Sequence, residues 1–425
     1  METLRFLLTS SFYPPFHIGG DAVHVSYLAD ELARRGHEVH VLHSLDAYNL
    51  KRGSDIADKA QTPNNVTVHP VRSSLSLSAY TAFAFGSSPA VSRSFRELID
   101  KIRPDVVHHH NISLLGYKLL RKRRNYLNLY TAHDYWLICP QSNLTRRNLQ
   151  VCTTRRCTSC VVSKGRPLQL WRYVRGFARA TQEIDALIAP SQYLRDRITR
   201  LRSIKSIIIP NFAPAPPSHL GASGFANFLV YVGVLEKHKG ILALLDEYKD
   251  LADLSLIIVG KGTLEGRVAE FVRRNRLESS IFRLGWVSRD LLFALLQDAQ
   301  ALVIPSIWPE NAPLVALEAL SLGTPVVASD RGGLPEIVCN VDKELAFKWE
   351  DDGDLTRAIR YSLDHKEMLS KNARSVYQRH YTPDAYLASY MRLLDTVGQK
   401  REPQVGSREM PRSIQLYDTK KREDS

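Results

Sequence analysis

Short apolar runs bounded by turn residues alternate along the chain with stretches whose apolar positions fall at helical spacing. Residues 4–8 read as a first strand, followed by a Pro- and Gly-rich loop through Gly19 and Gly20. Asp21 is the expected N-cap of the next helix. Val25, Leu28 and Leu32 mark that helix's buried face, and residues 39–42 return as a strand. A second unit places Val91, Phe95, Leu98 and Ile102 on one helical face, ahead of strands at 105–110 and 127–134. Strands at 185–191 and 207–211 complete a first domain, 1–214, and a linker rich in Pro, Ser, Ala and Gly spans 214–224. A second domain, 225–380, repeats the pattern, with strands at 228–232, 254–259, 281–284, 301–304 and 325–328. Strands that are apolar throughout and alternate with helices predict an α/β fold with parallel sheets buried on both faces. Tyr386, Leu387, Tyr390, Leu393 and Leu394 predict a terminal helix over 381–398, and the mixed-charge, aromatic-poor stretch 399–425 predicts a disordered tail.

Composition narrows the picture. A chain of 425 residues is too long for one ordinary core and suits two domains. No apolar run approaches the roughly 20 residues of a membrane helix, and the first residues carry too short an apolar core for a signal peptide. A cytoplasmic protein is expected. The net charge of +13 calls for an anionic partner: nucleotide phosphates, nucleic acid or an anionic membrane surface.

The richest stretch runs from Pro305 to Leu320. It follows a buried strand, and Pro313 suits the first position of the helix that carries Leu314, Leu317 and Leu320. The amides of Leu314 and Val315 then point out of a helix N-terminus, a ready anion site. Glu310, next to Asn311, lies in the loop before that terminus, and Glu318 is expected about two turns inside the helix. Other loops at strand C-termini share this character. Gly19 and Gly20 allow a close backbone approach to a phosphate or form an ordinary turn. Lys239 precedes a helix start, and Gly260 and Gly262 open a turn that admits a base or a phosphate. His133 ends a strand, where ligand crevices of open α/β sheets lie. His108, His109 and His110 cannot converge on one ion, because neighbours on a strand point to opposite faces; His110 and Asn111 are expected at the cleft. Neither a G-x-G-x-x-G fingerprint nor a P-loop is present.

Cys139, Cys152, Cys157 and Cys160 fall within one insertion, about 139–180. They read as a structural metal site, zinc or an iron–sulfur cluster, or else as four reduced thiols. The same insertion is basic and aromatic, with Arg146, Arg147, Arg155, Arg156, Lys164, Arg166, Trp171, Arg172, Tyr173, Arg175, Phe177 and Arg179, and Lys118 to Arg124 add a second basic cluster. Docking on an anionic membrane surface or on a pyrophosphate-bearing lipid acceptor competes here with a merely solvated face. Nucleic acid ranks lower, because no nucleic-acid motif accompanies the charges.

Taken in order, these segments resemble the retaining glycosyltransferases of family 4. They are Gly19-Gly20 with the helix through Gly36, residues 104–108, His133-Asp134, Lys239-Gly240, Gly260-x-Gly262, and the E-x₇-E of Glu310 and Glu318. The resemblance implies a GT-B fold, two Rossmann-like domains facing a cleft, and transfer of a sugar from a nucleotide-sugar donor to a glycan or lipid-linked acceptor with retention. It implies that Glu318 holds the ribose and Glu310 faces the transferred sugar. Lys239, the Leu314 and Val315 amides and Gly20 neutralise the diphosphate, and His133 binds the sugar from the opposite domain. No cofactor is required for catalysis, and contact with the inner face of the cell membrane is compatible. Two departures stand out: Val234 replaces a common Arg, with Lys237, Lys261 or Arg331 as candidate compensators, and Pro313 replaces a common glycine. The alternatives are another GT-B nucleotide-sugar enzyme, such as an epimerase, or a non-catalytic scaffold.

Overall fold

Seven apolar runs of the first half pair side by side into one all-parallel sheet: β1 (Arg5–Thr9), β2 (Glu38–Ser44), β3 (Val66–Val71), β4 (Val106–His109), β5 (Leu127–Thr131), β6 (Ala186–Ala189) and β7 (Ser206–Ile208). Their spatial order is β3-β2-β1-β4-β5-β6-β7. A second, six-stranded parallel sheet has the order β10-β9-β8-β11-β12-β13. It is built from β8 (Phe228–Val232), β9 (Ser255–Val259), β10 (Ile281–Gly285), β11 (Ala301–Ile304), β12 (Val326–Ser329) and β13 (Ala346–Phe347). The structure is a computed structural model that describes residues 3–52, 65–74, 77–146, 149–153, 156–251 and 253–399. The tail beyond residue 399, Arg147 and Arg155 lie outside the described residues.

The architecture is the expected pair of parallel α/β units. In each sheet the order reverses direction beside the first strand, at β1/β4 and at β8/β11, and ligand crevices open at such switch points. Two edge strands escaped the sequence reading. β3 carries Pro70, which an edge tolerates because one side of it needs no ladder bond. β13 is two residues long, too short to show a period.

Two helix starts differ from expectation. The helix Gly20–Arg34 begins one residue before Asp21, with Gly19 at its N-cap (φ 84°) and no side-chain cap. Asp21 instead lies in the first turn, and its carboxylate accepts a 2.6 Å bond from Asn111 Nδ2. Pro313 is the N-cap of the helix Leu314–Leu322 rather than its first helical residue. Its ψ of 128° is extended.

The terminal helix Pro383–Gln399 crosses back to the first sheet. Tyr390 Oη lies 3.0 Å from His108 Nδ1, and the Tyr386 ring packs 4.7 Å from Phe212. It buries Tyr386, Leu387, Tyr390, Leu393 and Leu394. At about 1.5–3 kcal/mol per large apolar side chain, that seam contributes on the order of 10 kcal/mol before ordering entropy is subtracted.

Candidate active site

β11 delivers the chain into the loop Pro305–Pro313, and that loop is held from both sides. The backbone carbonyl of His238 accepts from the amides of Ile307 (2.9 Å) and Trp308 (3.3 Å), joining it to the Lys237–Lys239 turn. Gly333 N donates to Glu310 O at 2.6 Å, and Glu310 pairs with Gly332 in an isolated parallel bridge. Gly332 sits at φ +70°, and a Cβ there would lie 2.0 Å from Glu310 O. Only glycine fits that backbone approach.

The loop places Glu310 with its side chain buried. Lys239 Nζ (2.5 Å) and Ser306 Oγ (2.6 Å) both donate to Oε1. Burial works against the charge of this carboxyl, but the Lys239 ammonium and these hydrogen bonds outweigh it and hold the pKa below the ordinary glutamate value. Glu310 is thus an ionised, pre-positioned carboxylate in a dry site. Lys239 also lies 5.1 Å from the centroid of the Trp308 ring, over its face.

Glu318 is the fifth residue of its helix, a little over one turn in rather than two. It too is buried, but burial raises its pKa, with Arg289 and Tyr27 pulling the other way. Tyr27 Oη donates to its Oε1 at 2.8 Å from the first half of the chain, and Arg289 approaches it at 3.9 Å while lying over the Tyr27 ring. The helix has no side-chain cap, so the first-turn amides of Leu314 and Val315 remain oriented toward the cleft. A methyl built at Gly20 would meet Leu314 Cδ1 at 3.8 Å, which puts the Gly19-Gly20 turn against this helix start.

His133 belongs to the same place. Asn311 Nδ2 donates to the His133 carbonyl at 2.7 Å, and the His133 ring meets His110 through Nε2 at 3.0 Å. Burial drives the His133 pKa down to about 3, so the ring is neutral at physiological pH. Beside it, burial raises the Asp134 pKa to about 7.

Several expected residues have other work. A Cβ on Gly260 would lie 2.0 Å from Gly233 O, and one on Gly262 would lie 2.5 Å from Leu235 O. The absence of a side chain at these two glycines is already explained by packing of one loop on another. Arg331, one of the candidate compensators for the arginine missing at Val234, is paired with Glu350 and Asp330. No disulfide joins any of the five cysteines. Among the described residues, the one group of three ligand-bearing side chains that converges is His24, His110 and His133, not Cys139, Cys152, Cys157 and Cys160. Trp171 and Phe177 of the basic insertion are core residues, and the Arg172 guanidinium lies 4.6 Å from the Trp171 centroid, instead of forming a solvated face. Tyr27, Arg289, Ser306, Gly332 and Gly333 were not anticipated. The Gly pair carried the one available signal, because it follows a strand end as the other loops do.

Residues 18–214 match the family described as Glycosyltransferase Family 4, and residues 219–379 match the Glycosyl transferases group 1 family. The two matches leave only short segments of the described chain unclaimed. The chain belongs to the GT-B glycosyltransferases. This glycosyltransferase is 29% identical over 405 residues to a glycogen synthase of Mycobacterium tuberculosis, covering 88% of this chain and 90% of the relative. Its fold is shared with a sucrose-phosphate synthase from Thermosynechococcus elongatus, at a TM-score of 0.70 and 19% identity over 93% of this chain and 100% of that one. It is shared too with the catalytic domain of starch synthase IV from Arabidopsis thaliana bound to ADP and acarbose, at a TM-score of 0.69 and 13% identity over 94% and 100%. Among the described residues no helix is long and apolar enough to cross a membrane.

Proposed function

We propose that this glycosyltransferase moves a sugar from a nucleoside-diphosphate donor to an acceptor hydroxyl with retention of anomeric configuration. The observation that carries the reading is the pair of buried carboxylates flanking one uncapped helix start. Glu310 is ionised beside Lys239, and Glu318 lies beyond the free amides. Leaving-group departure builds positive charge at the anomeric carbon and negative charge on the diphosphate. Glu310 answers the first charge; the Leu314 and Val315 amides, Lys239 and the Gly20 turn answer the second. Glu318 accepts the ribose hydroxyls once Tyr27 yields them its oxygen. His133, neutral and anchored through Asn311, offers its second ring nitrogen to the sugar hydroxyls. Screening UDP-, GDP- and ADP-sugars for a rise in melting temperature identifies the donor, since a ligand that binds only the native state stabilises it. Proton NMR of the product with that donor must then show the donor's anomeric configuration. An inverted product, or no stabilisation by any nucleoside-diphosphate sugar, overturns the reading.

The acceptor side carries a second part of the proposal, a lipid-linked acceptor reached by docking on an anionic membrane. Leu168, Leu170, Tyr173 and Val174 are exposed, as is Phe85 on the adjacent helix Ser78–Phe85. Trp171 Nε1 donates to Phe83 O and fixes the Leu170–Tyr173 turn on that helix. Exposed Arg166, Arg175 and Arg179 border the apolar tips. Apolar tips ringed by cations suit the headgroup boundary of an anionic bilayer. The protein should co-sediment with vesicles containing phosphatidylglycerol, not with pure phosphatidylcholine. The double variant Leu170→Ser, Tyr173→Ser should remain in the supernatant. Equal sedimentation of variant and parent removes this part.

A further inference from the structure

Three imidazoles from three different elements meet beneath the cleft. His24 stands in the second turn of the helix Gly20–Arg34, His110 follows β4, and His133 follows β5. Their ligand atoms all lie within 4.8 Å of one another. His110 Nδ1 and His133 Nε2 are 3.0 Å apart with the rings stacked at 21°, and His24 stands edge-on to His133 at 5.1 Å between centroids.

The hydrogen bonding of this cluster is incomplete. Both ring nitrogens of His24 are buried with no protein partner, and so is His110 Nε2. The other neighbours of His24 include the rings of Phe212 and Tyr386, in T-shaped contact at 5.4 and 5.5 Å, which give its nitrogens at most a weak π-face contact in place of a hydrogen bond. Leaving a polar group buried and unpaired costs about 1–3 kcal/mol, so two such nitrogens on one ring call for an explanation. Burial holds all three rings neutral, which keeps their lone pairs available at pH 7.

We propose that His24, His110 and His133 form a binding site for a late first-row divalent ion of the Zn²⁺ class. An all-imidazole set selects Zn²⁺, Co²⁺, Ni²⁺ or Cu²⁺ and disfavours Mg²⁺ and Ca²⁺, which take oxygen ligands. Zn–N bonds of about 2.0–2.1 Å at tetrahedral angles separate the nitrogens by roughly 3.3 Å. The His110–His133 pair therefore opens by a few tenths of an ångström, the proton between them moves to the ring nitrogen facing away from the ion so that both imidazoles stay neutral, and His24 swings inward. Three protein ligands leave one coordination position open. The site is separate from the Cys139–Cys160 insertion; it shares His133 with the glycosyl-transfer proposal, but it rests on the geometry of the rings and its test reads the metal alone, with no substrate present.

Cobalt tests it. Full-length protein freed of metal by a chelator is titrated with Co²⁺ alone and followed by visible absorption. The expected result is a saturable d–d band of low-symmetry Co²⁺ at one equivalent, without thiolate-to-cobalt charge transfer, displaced by Zn²⁺ and unaffected by Mg²⁺. His24→Phe, which suits its aromatic surroundings, should abolish the band and the Zn²⁺-induced rise in melting temperature. Cys157→Ser should leave both intact. If His24→Phe does not fold by circular dichroism, His24→Leu and His110→Leu serve in its place. The proposal is overturned if the parent protein gives no band, if the band survives loss of His24, or if it carries charge transfer and vanishes in Cys157→Ser. In those cases the cluster is a set of neutral imidazoles bridged by water.

Discussion

Lys239 decides the charge state of Glu310. A carboxyl buried this deeply would otherwise hold its proton, and the ammonium at 2.5 Å reverses that tendency. Lys239→Met should therefore leave a buried carboxylate without its partner and lower stability by about 3–5 kcal/mol in urea denaturation, with activity lost as well. Glu310→Gln keeps the shape and removes the charge, so kcat should fall by about 10²-fold or more while the donor KM changes little. Glu318→Ala should act on binding, raising the donor KM about tenfold or more, because hydrogen bonds to a charged group each contribute about 1.5–3 kcal/mol. Asp134 titrates in the opposite sense to Glu310. Its folded pKa, raised from 3.8 to about 7, means the native state holds a proton that the unfolded state has released. Stability should then decline as pH rises from about 4 to 7, and Asp134→Asn should flatten that slope in denaturation curves taken across the window. Glu310 has the reverse sign: its contribution is complete above the ordinary glutamate value and is lost as pH falls through its lowered one.

At the scale of elements, the sequence reading succeeded where the signal is local. Eleven of the thirteen strands were visible as apolar runs, and so was the order strand, acidic loop, helix start around Glu310 and Glu318. What it missed is long-range. Tyr27 reaches Glu318 across 291 positions of sequence, and no period or motif links two residues so far apart. Gly260 and Gly262 show another long-range effect, since the loops that crowd their Cα atoms, at Gly233 and Leu235, lie more than twenty positions away in sequence. The loop that presents Glu310 depends in the same way on backbone packing. Gly332→Ala would place a Cβ 2.0 Å from Glu310 O at φ +70°, so it should cost well over 1 kcal/mol and depress kcat along with stability. Gly266→Ala, at a helical glycine whose added Cβ meets nothing within 4 Å, should be neutral or stabilise by up to about 0.5 kcal/mol. Thermal melts of the two variants separate loss of the loop from a general intolerance of alanine.

Across the whole molecule, the two sheets are clasped at the site itself. Besides Tyr27–Glu318 and Asn311–His133, Tyr135 Oη donates to Pro309 O and Asn211 Nδ2 donates to Ala312 O. Glu336 accepts from the amides of Gln192 (2.7 Å) and Tyr193 (2.8 Å), the first turn of the helix Gln192–Thr199. A carboxylate at that positive helix end is well placed. Glu336→Ala should loosen the clasp without touching the carboxylate pair. The expected signature is a raised donor KM, a smaller change in kcat and a larger radius of gyration by small-angle scattering.

The returning terminal helix has a consequence for synthesis. A ribosome releases all of β1 to β7 well over a hundred residues before it releases Tyr386 and Tyr390, yet His108 and Phe212 reach those rings only in the finished chain. At roughly 5–20 residues per second, the first half waits many seconds with that seam uncovered. The half translated first is therefore the half completed last. A nascent chain stalled before residue 383 should expose an apolar surface to chaperones that the released protein conceals.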